Sequence, residues 1–128
     1  MKANYLFISL IVAFTLITAC IATESKNLSE SNNTTPQSVT IGDLLENAPA
    51  YENRTIEVSG EITSQCGSGC WFILSGESGD LYVNLKPNNF VIPPEMGKDA
   101  TVTGILMIKD SDASLIGSVV QVDGKTYP

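Results

Sequence analysis

The amino-acid sequence predicts an all-β domain, a small closed barrel of five strands with one short helix before it. Two observations predict this fold: apolar and polar residues alternate along several short segments, and glycine, proline or asparagine clusters separate those segments. A third is Gly60, which lies in the middle of the first strand-like segment, where a bend lets one strand pair in both halves of a barrel. A chain of 128 residues has room for one domain, and the alternative architecture is a small sandwich.

The N-terminal segment has the pattern of a lipoprotein signal peptide over residues 1–19. Lys2 gives a positive start, residues 6–17 are apolar, and Ile17-Thr18-Ala19-Cys20 matches a lipoprotein cleavage box. The alternatives are a plain signal peptide and an anchor helix, although the apolar run is short for a full membrane span. We therefore predict that Cys20 carries a lipid and holds the protein in the cell envelope, on the outer face of a membrane.

Residues 20–38 are predicted to be the lipidated cysteine and a disordered tether. The segment is rich in Ser, Thr, Asn and Glu, so it cannot bury enough apolar surface to offset the entropy of ordering. Asn-x-Ser/Thr sequons occur at Asn27, Asn32, Asn33 and Asn53. They are glycan acceptors only in an organism with the machinery, and an Asn- and Thr-rich linker also produces them by chance.

The predicted domain covers residues 39–128 and opens with a helix at residues 41–47. Thr40 is its predicted N-cap, Asp43 suits the positive end of the helix dipole, and Leu44 and Leu45 are expected to face the core. Ala48-Pro49 is expected to end the helix, and Asn53-Arg54 to form a turn.

Strand-like alternation follows. The predicted strands are residues 55–63, 71–74, 80–85, 99–109 and 115–122. Glycines at 76 and 79 indicate a hairpin loop, and residues 110–114 a polar loop. Prolines within residues 86–97 exclude a central strand there, and we expect Phe90, Val91 and Ile92 to plug one end of the core. A bent first strand and a connection between strands three and four favour the five-stranded Greek-key barrel known as the OB fold, which binds oligonucleotides and oligosaccharides.

The motif Cys66-Gly67-Ser68-Gly69-Cys70-Trp71 lies between the first two predicted strands. Together with the short Asp-Leu-Leu helix and the Val58-x-Gly60 strand, it resembles a family of small exported OB-like lipoproteins and periplasmic proteins, over about residues 41–122. That resemblance implies the fold and the exported location, and it does not imply an activity.

Four interpretations of Cys66 and Cys70 stay open. In the first, the pair forms a local disulfide, which an even number of cysteines in an oxidising compartment favours. In the second, the pair binds a soft metal such as Cu(I), with Met96 and Met107 as helpers. In the third, it cycles between dithiol and disulfide, and in the fourth it serves only as scaffold. The chain has no histidine, which excludes histidine-based metal sites and Ser-His or Cys-His catalysis.

The predicted ligand face lies beside this loop and comprises Trp71, Phe72, Tyr82 and Asn84, whose aromatic rings can stack on sugars or bases. No nucleophile–base pattern or phosphate-binding glycine motif occurs, so we predict no enzyme activity. Without residues 1–19 the chain keeps six basic residues against fourteen acidic ones, a net charge of −8, which opposes nucleic-acid binding. The expected partners are the membrane, through the lipid anchor, and an envelope protein or a small ligand.

Overall fold

The computed structural model describes residues 35–128. The predictions for the signal peptide, Cys20, Asn27, Asn32, Asn33 and most of the tether lie outside these residues. The elements are β1 (Gln37–Ser38), α1 (Ile41–Glu46), α2 (Ala48–Tyr51), β2 (Thr55–Gln65), β3 (Trp71–Gly76), β4 (Gly79–Asn84), β5 (Asp99–Lys109), β6 (Asp112–Val122) and β7 (Lys125–Tyr127), with a 3₁₀ turn at Lys86–Asn88. Neither helix within residues 35–128 has the length and apolar character needed to cross a bilayer.

Five strands close into a barrel. Around the barrel the order is β2, β3, β4, β6 and β5, and β5 pairs again with β2. All of these pairs are antiparallel except β4 with β6, which is parallel. This order and the short helix before the barrel confirm the predicted OB-like fold. The edge strands β1 and β7 pair with β2 and β6.

The first barrel strand is bent and shared between two neighbours, as predicted. Glu61 is the residue at which β2 passes from one partner to the other, because it pairs with Asp99 of β5 and with Ser75 of β3. Gly60 is needed beside it, since a Cβ there would lie 2.5 Å from the Ser75 carbonyl oxygen. The pairing of β2 with β3 is irregular at Thr63, three residues beyond the bend predicted at Gly60.

The helix before the barrel closes part of the core. Thr40 is its N-cap, because its hydroxyl accepts a hydrogen bond from the Asp43 amide at 3.2 Å. Leu44 is completely buried, whereas Leu45 is 36% exposed, which corrects the prediction that both leucines face the core. The first helix ends at Glu46, just before the predicted stop at Ala48-Pro49. A second short helix, α2, then begins at Ala48, because proline is tolerated in the first turn of a helix.

Several strand boundaries differ from the predicted ones. The loop between β5 and β6 is a turn of two residues, Asp110 and Ser111, where the sequence predicted a loop over residues 110–114. Both have positive φ, 52° and 72°, as a type I′ turn requires, and this tight turn lets β6 begin at Asp112. Gln37 and Ser38, assigned to the tether, form β1.

The segment between β4 and β5, residues 85–98, forms no strand, as its prolines predict. Ile92 is buried and Phe90 packs partly against the core, so both contribute to the expected plug. Val91 is 57% exposed and does not. This segment lies against the cysteine loop and positions it.

Candidate functional site: the cysteine loop and the outer face

The cysteine loop, residues 66–70, is closed by backbone hydrogen bonds. The Cys66 amide donates to the Trp71 carbonyl at 3.0 Å, and the Gly69 amide donates to the Cys66 carbonyl at 2.8 Å. The Leu85 amide donates to the Cys70 carbonyl at 3.0 Å, which extends the ladder between β3 and β4 by one residue. The loop is therefore a tight turn continuous with the sheet, and the backbone fixes where both cysteines lie.

Gly69 is the glycine that the loop requires. Its φ is 75°, and a Cβ at this position would lie 2.0 Å from the carbonyl oxygen of Ile92. The Ile92 amide donates to the Gly69 carbonyl at 3.2 Å, so the two backbones touch directly. Gly67 has an ordinary φ and open space where a Cβ would be. The close approach of the loop backbone to Ile92 therefore depends on Gly69 and not on Gly67.

Gln65, the last residue of β2, braces the loop from the other side. Its Nε2 donates to the Pro93 carbonyl at 2.8 Å, and its Oε1 accepts from the Glu95 amide at 2.9 Å. Both partners belong to the segment between β4 and β5, so this side chain ties the start of the cysteine loop to that segment. The sequence analysis did not identify Gln65, because a glutamine at a strand end carries no local signal of such contacts.

The two cysteines are free, partly buried thiols whose sulfur atoms lie 3.3 Å apart. Ser68 Oγ lies 3.2 Å from Cys66 Sγ and 3.4 Å from Cys70 Sγ, so two sulfurs and one hydroxyl form a triangle, which we call the thiol cluster. A disulfide bond requires about 2.0 Å between the sulfurs. The predicted disulfide therefore stays a prediction, although the two sulfurs are already neighbours.

Hydrogen bonding makes the two thiols unequal. The Ser68 hydroxyl, the Ser68 amide and the Cys70 thiol all bond to the Cys66 sulfur and lower the pKa of Cys66 to about 7, against the opposing effect of burial. Hydrogen bonds to a thiolate stabilise it, and the thiolate is the form that attacks disulfides and binds metals. Ser68 thus helps to lower the pKa of Cys66, a role that the sequence does not reveal, because a serine in a glycine-rich loop carries no local signal of a contact with sulfur.

Beside the loop, outward-facing residues of four strands form one surface. The register of β3, β4, β6 and β5 aligns their outward-facing side chains in two rows, and a row of completely buried residues lies between these two rows. We call this surface the outer face. One row is Trp71, Asn84, Ile116 and Ile105, and the other is Ile73, Tyr82, Ser114 and Met107. Six of these eight side chains are aromatic or aliphatic, so the surface is mainly apolar.

Most of the predicted ligand face lies on this outer face. The rings of Trp71 and Tyr82 have centroids 5.6 Å apart and are tilted by 34°, and Tyr82 is 38% exposed. Asn84 lies beside Trp71, and its side-chain oxygen accepts from the Lys86 amide at 3.1 Å. Phe72 is completely buried, which corrects its assignment to the ligand face: as its neighbours in the strand face outward, it faces the core.

The structure separates one of the two predicted metal helpers from the thiol cluster. Met107 lies on β5 in the outer face, separated there from β3 by β4 and β6. Met96 is 63% exposed in the segment between β4 and β5, and its role as a helper stays a prediction. Within residues 35–128, no three residues of His, Cys, Asp or Glu are grouped so as to hold a metal ion. The two sulfurs are thus the ligands that the loop brings together for a soft ion.

A separate groove of about 950 Å³ lies between the outer part of β2, the start of β5 and the end of β6. Its lining includes four carboxylates, those of Glu61, Glu77, Asp99 and Asp123. None of the predicted site residues lines it, and its acidic character is unsuited to a phosphate backbone.

The chain matches no protein-family model and no curated protein sequence. Solved structures do match. A chain of the S. pombe Stn1–Ten1 complex has a TM-score of 0.52 at 8% identity, covering 70% of this chain and 77% of that one. The OB-like fold is shared. The hypothetical protein ygiW from E. coli has a TM-score of 0.47 at 12% identity, covering 69% of this chain and 97% of that one. At such low identity the likeness concerns the fold alone.

Proposed function

We propose that this protein is a membrane-anchored, extracytoplasmic OB-like binding or assembly module without enzyme activity, whose ligand face is the outer face with the cysteine loop at its edge. The observation that carries the proposal is the outer face itself. It presents six apolar or aromatic side chains on four adjacent strands, two of them, Ile105 and Met107, more than 40% exposed. A contiguous apolar surface is the property that distinguishes interaction sites from ordinary surface.

The aromatic pair suggests the class of ligand. Trp71 and Tyr82 offer tilted rings beside the side chain of Asn84, an arrangement suited to a ligand with a flat or apolar face and a hydrogen-bonding edge. A sugar ring or an apolar segment of an envelope protein has these properties. We propose that oxidation of Cys66 and Cys70 to a disulfide stabilises the loop beside this surface.

Trp71 is the only tryptophan in the chain, so its fluorescence reports directly on the outer face. We would titrate the protein with a neutral oligosaccharide and with an apolar peptide that lacks tryptophan. The expected result is a saturable change in emission with one of them, lost in Tyr82→Ala. The control is Leu45→Ala, which removes an exposed apolar side chain outside the outer face. No saturable change with either probe, or one unaffected by Tyr82→Ala, would overturn the proposal.

The anchoring part rests on the cleavage box that ends at Cys20 and is tested separately. Full-length protein and Cys20→Ala are expressed and fractionated, and acylation is measured by mass. We expect the parent protein to be acylated and retained by the membrane and the variant to lose both. Equal acylation and retention of the two proteins would remove the lipoprotein proposal and leave the binding proposal intact.

The thiol cluster favours a second candidate function, thiol–disulfide cycling or soft-metal binding by Cys66 and Cys70. The two sulfurs are near enough to bond to each other or to share one ion, and a thiolate pair is a preferred site for Cu(I). Metal binding predicts that the reduced protein takes up one Cu(I) per chain against a competing chelator. It also predicts loss of uptake in Cys66→Ser/Cys70→Ser and no loss in Met107→Leu. Uptake that survives the double substitution would exclude this site.

A further inference from the structure

The thiol cluster is asymmetric, and the asymmetry assigns different roles to its two cysteines. Cys66 Sγ accepts a hydrogen bond from the Cys70 thiol at 3.3 Å, and it also lies within hydrogen-bond distance of the Ser68 hydroxyl. The Ser68 hydroxyl donates to Cys70 Sγ at 3.4 Å, and Cys70 Sγ is the donor in the contact between the sulfurs. The donors therefore run from Ser68 through Cys70 to Cys66, so Cys66 Sγ is the accepting end of this chain.

We propose that the cluster performs stoichiometric thiol–disulfide exchange with a disulfide substrate, with Cys66 as the attacking sulfur, Cys70 as the resolving sulfur and Ser68 as a positioning residue. The inference rests on the second candidate function and names its substrate class and the role of each residue. The substrate chemistry is a disulfide bond, whether in a small molecule or in a polypeptide.

The exchange balances in two steps. The Cys66 thiolate attacks one sulfur of the substrate disulfide, that S–S bond breaks, and the other substrate sulfur leaves as a thiolate that takes up a proton. Cys70 then loses its proton and attacks Cys66 Sγ, which breaks the mixed disulfide and releases the second substrate thiol. The substrate disulfide is reduced to two thiols, and the protein is oxidised from a dithiol to the Cys66–Cys70 disulfide.

Two features of the loop suit this sequence. The tip of the loop, Gly67 and Ser68, is exposed, so a disulfide can approach the cluster from solvent. The backbone contacts of Gly69 with Ile92 hold the loop in place, so resolution needs only a short movement of one sulfur toward the other.

The segment between β4 and β5, which packs against the loop, carries the titratable residues Lys86, Glu95 and Lys98. Glu95 is held by Lys98 at 2.6 Å and by the Tyr127 hydroxyl at 2.9 Å. Among the described residues, the side-chain hydrogen bonds to the two sulfurs come from Ser68 and from the cysteines themselves. Ser68 is thus the polar side chain that contacts both sulfurs.

The test uses the reduced full chain in a Cys20→Ser background, so that Cys66 and Cys70 are its only thiols. The probes are oxidised glutathione and a synthetic peptide closed by one disulfide, and products are identified by mass after alkylation. We expect one probe disulfide reduced per chain and a Cys66–Cys70 disulfide formed. The probe that reacts faster shows whether the substrate disulfide belongs to a small molecule, as in glutathione, or to a polypeptide.

Substitutions separate the roles. Cys70→Ser should accumulate a mixed disulfide at Cys66, and Cys66→Ser should react about tenfold more slowly, through Cys70. Ser68→Ala should slow the attack several-fold, and Ser68→Thr should restore it, because threonine keeps the hydroxyl. Ser64→Ala is the matched control, since Ser64 is an exposed serine near the end of β2 and the side-chain hydrogen bonds to the sulfurs do not include it.

Three results would overturn the inference: no exchange with either probe, equal rates for the two single cysteine variants, or a Ser68→Thr variant as slow as Ser68→Ala. Exchange and ligand binding at the outer face are measured separately, by product mass and by Trp71 fluorescence, so the failure of this inference and the failure of the binding proposal are distinguishable. Loss of binding with exchange retained would remove the binding proposal alone. Loss of exchange with binding retained would remove the inference alone.

Discussion

Gly69 shows how a single residue decides the geometry of the site. It satisfies two requirements at once, a left-handed φ and direct contact between its backbone and that of Ile92. Any side chain would have to displace the Ile92 carbonyl or move the loop. Because Ile92 is itself buried in the core, moving the loop is the easier response.

We therefore expect Gly69→Ala to lower the free energy of unfolding by about 1–3 kcal/mol and to separate the two thiols. Chemical denaturation measures the first effect, and the rate of disulfide formation between Cys66 and Cys70 measures the second. Gly67→Ala is the control and should change neither, because a Cβ there meets open space. Equal behaviour of the two variants would show that the loop is not held against Ile92.

At the scale of elements, the charged side chain of Glu95 connects β7 to the segment between β4 and β5. Glu95 is 4% exposed, and it contacts Lys98 and the hydroxyl of Tyr127 on β7. Lys98 also lies 3.2 Å from Asp123, in the turn before β7. These contacts join the segment between β4 and β5 to the last strand.

This network predicts a dependence of stability on pH. The hydrogen bond from Lys98, followed by that from Tyr127, lowers the pKa of Glu95 below its ordinary value. A carboxyl group with a depressed pKa in the folded state contributes stability above its unfolded pKa of about 4.3 and loses that contribution as the pH falls through the folded pKa. Denaturation of Glu95→Gln between neutral and acid pH should show a smaller decline than the parent protein.

Glu77→Gln is the control for that measurement, because Glu77 is exposed in the turn between β3 and β4 and has no hydrogen-bonding or ionic partner among the described residues. It should follow the parent curve. A Glu95→Gln curve parallel to the parent at all pH values would show that this carboxyl is not coupled to folding.

The cysteine loop is the second element whose contribution can be measured. A disulfide between Cys66 and Cys70 closes only five residues, and the chain-entropy relation gives about 2 kcal/mol for such a loop, against about 4.7 kcal/mol for a loop of 100 residues. We expect Cys66→Ser/Cys70→Ser to cost the oxidised protein at most about 2 kcal/mol in denaturation, with the fold retained. Loss of the β-sheet circular dichroism signal would contradict this.

At the scale of the whole molecule, charge and fold point to different partners. OB-like barrels include many nucleic-acid-binding domains, yet fold alone does not determine function. The chain is acidic overall, with a net charge of −7, and carboxylates contribute to the lining of the groove between β2, β5 and β6. Phosphate contacts supply most of the affinity for nucleic acids, so an acidic surface opposes binding.

We therefore expect no saturable binding of a labelled single-stranded DNA or RNA oligonucleotide at physiological salt, measured by fluorescence anisotropy. A matched double-stranded oligonucleotide should give the same result. Binding in the micromolar range that weakens as salt is added would contradict this prediction, because that dependence is characteristic of contacts to phosphates.

The sequence by itself determined the five barrel strands and the first helix of this protein. Alternation along residues 55–63, 80–85 and 99–109 located three strands and their buried faces, because a side chain's face follows from its position in a strand. Thr40 located the helix start, and the prolines of residues 86–97 excluded a strand. Each of these signals acts within a few residues, so it is visible in the sequence alone.

Only the tertiary structure decided how these elements meet. Phe72 and Trp71 are adjacent large aromatic residues, and strand orientation buries Phe72 in the core and leaves Trp71 partly exposed on the outer face. Register between β4, β6 and β5 brings Tyr82 and Ile116 onto the same surface as Met107, although they are far apart in sequence. The contact of Gly69 with Ile92 likewise joins two loops. These features depend on pairing between distant segments, and no local pattern encodes the register of such pairing.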